Sequence, residues 1–140
     1  MSESIKYLEK PSLWRTNGHW ASWFFDHTLR ANIRFIWPVG PEQLNRHVEK
    51  ITGQNPKRKR PFAGHFTVVD SDGLEAIFIA LGSTGDITTL AHECLHATTF
   101  LLDDRGISIS RENDEIIAYT QQGLMLRCMA LQKWAAKRKK

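Results

Sequence analysis

The chain has 140 residues and a formal net charge of +4, from 19 basic and 15 acidic side chains. This length fits one domain with a sizeable core, and a hydrophobic fraction of 41% argues against general disorder. The longest uninterrupted apolar run covers residues 76–81 and is too short to span a bilayer. The composition therefore predicts a single domain over residues 1–140 and no membrane partner.

The first eleven residues and the cysteines both bear on the compartment. Residues 1–11 carry charged side chains and lack the apolar core of a secretory signal. Cys94 and Cys128 are the only cysteines, and two cannot build a disulfide framework, so each is interpreted as a small buried apolar residue. We therefore expect a cytoplasmic protein.

The basic residues are unevenly distributed. Nine of them lie in a basic loop at residues 55–61 and a basic tail at residues 133–140. The rest of the chain has ten basic and 15 acidic residues. The body of the protein is thus predicted to be acidic. Such blocks contact nucleic acid or other polyanions, or they are solvated surface. This pattern allows nucleic acid as a partner, bound weakly through the two blocks.

In chain order, residues 15–30 are predicted to form a helix and residues 33–39 a strand. Pro41 suits the first turn of a helix ending near residue 52, because proline lacks the N–H that would be unsatisfied there. Residues 53–61 are predicted to be a loop. The seven tryptophan and phenylalanine residues between positions 14 and 37 are interpreted as core, with base stacking or a peptide groove as alternatives.

The middle of the chain predicts a β-hairpin followed by two helices. Residues 65–70 and 74–81 are β-branched and apolar runs joined by the turn sequence Ser71-Asp72-Gly73. Asp86 is the predicted N-cap of a helix to about residue 104, which Gly106 ends, and a last helix covers residues 113–137. The fold class is therefore predicted as α+β, with a small antiparallel sheet packed on these two helices.

The first of these helices contains His92-Glu93-Cys94-Leu95-His96, an HExxH motif. At 100° per residue the two histidines lie on one helix face, one turn apart, so both imidazoles can bind one zinc ion. Glu93 is then adjacent to the metal and can deprotonate a water on it as general base. A chain of this composition would contain the pattern by chance about 0.015 times. The alternative is a core helix whose histidines are merely hydrogen-bonded.

Catalytic zinc needs a third protein ligand. The residues between the two helices are long enough to bring the first turn of the last helix back beside the histidines, and Glu115 is the best candidate there. Asp114 is the next candidate, followed by Asp103 and Asp104. Glu115 could instead simply complement the helix dipole.

The motif and its downstream segment resemble a known family. HExxH with Glu115 placed 19 residues after His96, followed by Ala118-Tyr119, looks like the gluzincin branch of zinc metallopeptidases. Residues 90–119 also resemble small phage-encoded metallopeptidase-like proteins and, more loosely, the ImmA/IrrE-type peptidases. The resemblance implies a minimal zincin-like fold, zinc held by His92, His96 and Glu115, and Glu93 as general base. It further implies that the strand before the motif helix is an edge to which a peptide substrate adds.

Two features of larger gluzincins are missing. No histidine follows His96 to stabilise the transition state, and the residues one turn beyond Glu115 are Ala118 and Tyr119 rather than an aspartate. Tyr119 could donate its phenol to the developing oxyanion, or be a core aromatic residue. His65 is the other possible donor, with an exposed strand-end histidine as its alternative.

The expected function is that of a zinc metallopeptidase acting on a peptide or protein substrate. The alternative is a zinc-stabilised nucleic-acid-binding protein in which the HExxH site is structural or vestigial. The sequence does not define the substrate, because specificity depends on side-chain pockets that motif spacing does not describe.

Overall fold

The structure, a computed structural model, describes residues 12–71 and 74–138. Within these ranges the fold is α+β. The strands are β1 (Ser12–Thr16), β2 (His19–Asp26), β3 (Ala31–Trp37), β4 (Gly64–Ser71) and β5 (Leu74–Leu81). The helices are α1 (Pro41–Thr52), α2 (Ile87–Asp104) and α3 (Asp114–Arg138), and a short 3-10 turn, Arg111–Asn113, precedes α3.

The five strands form one sheet in the order β1-β2-β3-β5-β4. The prediction of an antiparallel sheet was wrong in one respect, because β3 and β5 are parallel and the sheet is mixed. The parallel pairing follows from the path of the chain between β3 and β4. The loop after α1 runs back along that helix, where Asn45 donates a hydrogen bond to the carbonyl of Arg58. As a result β4 runs antiparallel to β3, and β5 runs parallel to it.

The first part of the chain is a β-hairpin and not the predicted helix. β1 and β2 are antiparallel and joined by Asn17 and Gly18, with Thr16 paired to His19. Both turn residues have positive φ angles, 48° and 84°, as a two-residue hairpin turn of this hand requires. The Asn-Gly pair was the sequence signal for this turn. Apolar residues occur on both faces of β2, so the alternation that identifies a strand was absent.

The remaining elements agree closely with the sequence predictions. α1 begins at Pro41 and ends before Gly53, whose φ of 76° closes the helix. The hairpin of β4 and β5 is antiparallel from Gly64 opposite Leu81 to Ser71 opposite Leu74. Its predicted turn includes residues 72–73, which lie outside the described residues. Asp86 caps α2 by accepting hydrogen bonds from the backbone N–H groups of Thr88 and Thr89.

The sheet separates two apolar cores. α1 covers one face, where Leu44 and Val48 pack against Ile36 and Phe78. α2 and α3 cover the other face, whose core includes Trp20 and Trp37 and the two buried cysteines. The core interpretation of the aromatic segment was correct for these tryptophans and wrong for Trp14 and Trp23, which are exposed. Nowhere in residues 12–71 and 74–138 is a helix long and apolar enough to cross a membrane.

Candidate metal centre

Helix α2 presents the HExxH motif at the surface of the protein. A buried stripe at helical spacing, Leu90, Cys94, Ala97 and Leu101, fixes the helix on the sheet. His92 and His96 lie outside this stripe and are exposed. The two histidines are therefore not core residues, and their imidazoles are accessible to an ion from solvent.

The two imidazoles converge. His92 Nε2 and His96 Nε2 are 3.1 Å apart, and the rings meet edge to face. Together with Glu93 they form a group whose potential ligand atoms all lie within 4.8 Å of one another. Two nitrogens bound to one tetrahedral zinc at 2.0–2.1 Å would be separated by about 3.3 Å. The histidine spacing therefore fits a shared ion with little adjustment.

Glu93 differs from His92 and His96 in being buried. Glu93 is only 6% exposed, and its Oε2 atom has no hydrogen-bond partner among the residues that the structure describes. Burial raises the pKa of Glu93, while the neighbouring His92 and His96 act in the opposite direction. A buried carboxylate oxygen without a partner is costly unless something is bound beside it. The donor set and this oxygen fit a zinc ion with an associated water.

Strand β4 approaches the motif closely through Gly64. A Cβ atom at this position would lie 2.5 Å from Thr89 Cγ2 and 2.9 Å from Glu93 Cγ, so only glycine allows this approach. Two residues further on, the ring of Phe66 is stacked at 6.2 Å from that of His96. β4, at the end of the sheet, thus lies alongside the HExxH helix.

This arrangement corrects the expectation about the sheet edge. The strand immediately before the motif helix is β5, which lies between β3 and β4 and has no free side. The edge strand is β4, the first arm of the hairpin. Among the described residues no further strand pairs with its outer side.

Helix α3 passes beside the start of α2. Gln121 donates a hydrogen bond to the carbonyl of Ala91, the residue before His92, and Cys128 lies against Cys94. Counting back seven residues from Gln121 places Asp114 about 20° around the helix, on the same face. Glu115 lies about 120° away from Gln121 by the same count.

Glu115 and Tyr119 are both exposed in α3 and are not members of the histidine group. Tyr119 is 66% exposed, so the interpretation as a core aromatic residue was wrong. It lines a groove with Ile116, Gly123 and Leu126 in which neither histidine takes part. Asp114, Asp103 and Asp104 are likewise exposed and lie outside the group.

His65 lies on the other face of the sheet. Side chains alternate along a strand, and Phe66 faces His96, so His65 points toward the α1 side. It is half-buried, with its Nε2 atom unpaired, and burial together with nearby Arg58 lowers its pKa to about 4. Both interpretations of His65, as oxyanion donor and as exposed strand-end residue, were therefore wrong.

Gly64 and Gln121 were not identified from the sequence. A glycine at the start of a strand and a glutamine within a helix carry no signal of their partner across the fold. Comparison with protein-family models, curated proteins and solved structures finds no match to this chain.

Proposed function

We propose that the protein is a zinc-dependent metallopeptidase, with His92 and His96 as metal ligands and Glu93 as general base. The observation that carries the proposal is the convergence of the two histidines, with their Nε2 atoms 3.1 Å apart, beside a buried carboxylate that lacks a partner. Zinc held there would act as a Lewis acid that polarises a peptide carbonyl and acidifies water. Glu93 takes a proton from the attacking water and transfers it to the leaving amine.

The third ligand is proposed to come from the first turn of α3. Glu115 is the candidate that the gluzincin resemblance supplies. Asp114 is the alternative, and it is supported by its position on the face of α3 that carries Gln121, which reaches Ala91 of α2. Either carboxylate would have to move toward the histidines, since neither belongs to the group in the structure.

The substrate is proposed to be an extended peptide that pairs with the edge strand β4. Backbone groups on the outer side of an edge strand are available for strand addition, which gives affinity independent of sequence. Gly64 holds the beginning of this strand against Glu93, so a peptide paired there would run past the histidines. Tyr119 remains the proposed oxyanion donor from the sequence, and comparison of the Tyr119→Phe variant with wild type tests that role.

The decisive experiment compares wild type with Glu93→Gln. Both proteins are purified without added metal, analysed for zinc by mass spectrometry, and incubated with unfolded casein. We expect about one zinc per chain in both, and a loss of about 10²-fold or more in cleavage for the variant, as removal of a general base implies. The His92→Ala/His96→Ala double variant serves as the metal-free control. Full zinc occupancy in that control would refute the site.

The second candidate function is a zinc-stabilised nucleic-acid-binding protein. It is favoured by one observation, the exposure of all four basic residues at positions 57–60. In that case zinc would be bound, the double variant would lose stability, and no unfolded protein would be cleaved by wild type.

A further inference from the structure

On the face opposite the HExxH motif, α1 leaves part of the sheet uncovered. The helix packs over β3 and β5 and reaches His19 of β2, whereas Trp14 of β1 and Trp23 of β2 are exposed beside it. A cavity of about 360 Å³ lies between α1 and this open part. Its walls include Trp14 and His19 from the first hairpin, Arg34 from β3, and Arg46, His47 and Lys50 from α1.

Two histidines meet at the base of this cavity. His19 Nε2 and His47 Nε2 are 2.6 Å apart, and His19 is almost completely buried. Burial lowers the pKa of His47 to about 4, with further lowering from His19, Lys50 and Arg34. Burial and Arg15 also lower the pKa of His19, against a hydrogen bond to the backbone of Asn17. In this pair one ring must donate and the other accept.

The surrounding charges decide which ligand this pair can attract. Arg34, Arg46 and Lys50 line the cavity, and no carboxylate does among the described residues. A metal cation placed between the two histidines would therefore be repelled by three positive side chains. This is the reverse of the HExxH group, where Glu93 supplies a negative charge.

Arg34 is the side chain that most clearly favours anion binding. Its Nε atom is buried and finds no hydrogen-bond partner among residues 12–71 and 74–138, and burial lowers its pKa. Arg46 has a counter-ion, Glu42, but that pair is exposed and separated by 3.9 Å. A half-buried guanidinium without a carboxylate is expected to bind an oxyanion, since its planar donors match phosphate geometry.

An aromatic surface adjoins the cations. Trp14 lines the cavity and is 39% exposed, although large aromatic residues are usually buried. Trp23, also exposed, is a diagonal neighbour of Trp14, because Trp14 is paired with Ala21 of β2. Exposed aromatic rings next to cationic side chains are typical of surfaces on which nucleic-acid bases stack.

We propose that this cavity binds a nucleotide phosphate, held by Arg34, Arg46 and Lys50, with the base stacked on Trp14. The phosphate can belong to a free nucleotide or to a single strand of nucleic acid, and the chemistry of the contact is the same. The site is independent of the proposed peptidase activity, because the sheet lies between them.

The test uses isothermal titration calorimetry on the full chain at low salt. The probes are inorganic phosphate, adenosine monophosphate and a ten-residue deoxyadenylate strand. Arg34→Gln and Lys50→Gln should each weaken binding of adenosine monophosphate by about tenfold, the amount expected for one lost charged hydrogen bond. Arg111→Gln, an exposed change before α3 and outside both basic blocks, is the control and should leave the affinity unchanged. Lys50 is exposed, so its variant tests the site even if Arg34→Gln fails to fold.

Trp14→Leu separates the base from the phosphate. It should weaken binding of adenosine monophosphate and of the strand while leaving that of inorganic phosphate unchanged. If the deoxyadenylate strand binds much more tightly than adenosine monophosphate, and Lys50→Gln weakens both to the same extent, the bound phosphate belongs to a nucleic acid. If the two affinities are equal, the ligand is a free nucleotide. The proposal is overturned if wild type binds none of the three probes, or if Lys50→Gln and Arg111→Gln bind equally well.

Discussion

At the scale of single residues, Gly64 is where the edge strand and the motif helix come closest. An added Cβ would collide with Thr89 and Glu93. We expect Gly64→Ala to lower the free energy of unfolding by about 1–3 kcal/mol, since overpacking shifts the backbone. Urea denaturation measures the change.

Two further variants separate the collision from a general effect of alanine. Thr89→Ser removes the Cγ2 atom but keeps the hydroxyl that bonds to Asp86, so it should restore part of the stability lost in Gly64→Ala. Gly123→Ala adds a Cβ in α3 with nothing within 4 Å, and should stabilise the protein by about 0.5–1 kcal/mol. Equal losses in Gly64→Ala and Gly123→Ala would contradict the close approach.

His47 and His65 make stability dependent on pH. Burial lowers the pKa of each to about 4, from an ordinary value of 6.5. The unfolded chain therefore binds more protons than the folded one at intermediate pH. The free energy of unfolding should be highest above pH 6.5 and fall as the pH drops toward 4. Urea midpoints measured between pH 4.5 and pH 7.5, about the range of these values, test this.

Replacement of one histidine tests this pH dependence. His65→Asn removes one of the two groups, so the free energy of unfolding should fall less steeply between pH 6.5 and pH 4, by about the contribution of one proton. An unchanged slope in His65→Asn would show that its pKa is not lowered in the folded protein.

At the scale of elements, the first turn of α3 carries both proposed third ligands of the proposed zinc site. Glu115→Ala and Asp114→Ala compare the two proposed third ligands at adjacent positions of the same helix. The variant that removes the ligand should weaken zinc binding by more than the roughly 10–100-fold that loss of an outer-shell partner costs, and the other should not, as measured by competition with a chromophoric chelator. If neither variant changes the affinity, the third ligand does not come from this turn.

The elements also show where sequence interpretation succeeds. α1, α2 and the hairpin of β4 and β5 each carry a local signal: Pro41 at a helix start, Asp86 as N-cap, and two β-branched runs with a turn between them. The mixed sheet carries none, because strand order depends on how the loop after α1 returns. β2 was missed because its apolar residues lie on both faces, although Asn17-Gly18 marked the turn before it.

The same contrast applies to the candidate sites. His92, Glu93 and His96 are adjacent in sequence, so helical geometry alone predicts that they converge. His19 and His47 are 28 residues apart and meet only because α1 folds over the sheet. No pattern in a single sequence connects them.

At the scale of the whole molecule, the basic loop and tail distinguish the two candidate functions. If they contact duplex DNA, the logarithm of affinity should fall with the logarithm of salt concentration with a slope of about −3 to −5. Replacing residues 57–60 with glutamine should reduce this slope by about 2 or more, without changing zinc content or casein cleavage. Tight, salt-resistant binding to one DNA sequence, without cleavage of any unfolded protein, would favour the binding protein instead.

The exposure of His92 and His96 has a consequence for how the proposed zinc site would be loaded. Both imidazoles face solvent on a helix that a buried stripe packs against the sheet, so an ion could enter or leave without unfolding of the chain. Zinc bound there would then exchange with the surrounding zinc pool after the protein has folded. The rate at which a chelator strips the metal would follow chelator concentration and be indifferent to how fast the chain unfolds, so that local zinc supply could turn the protein on and off within its lifetime.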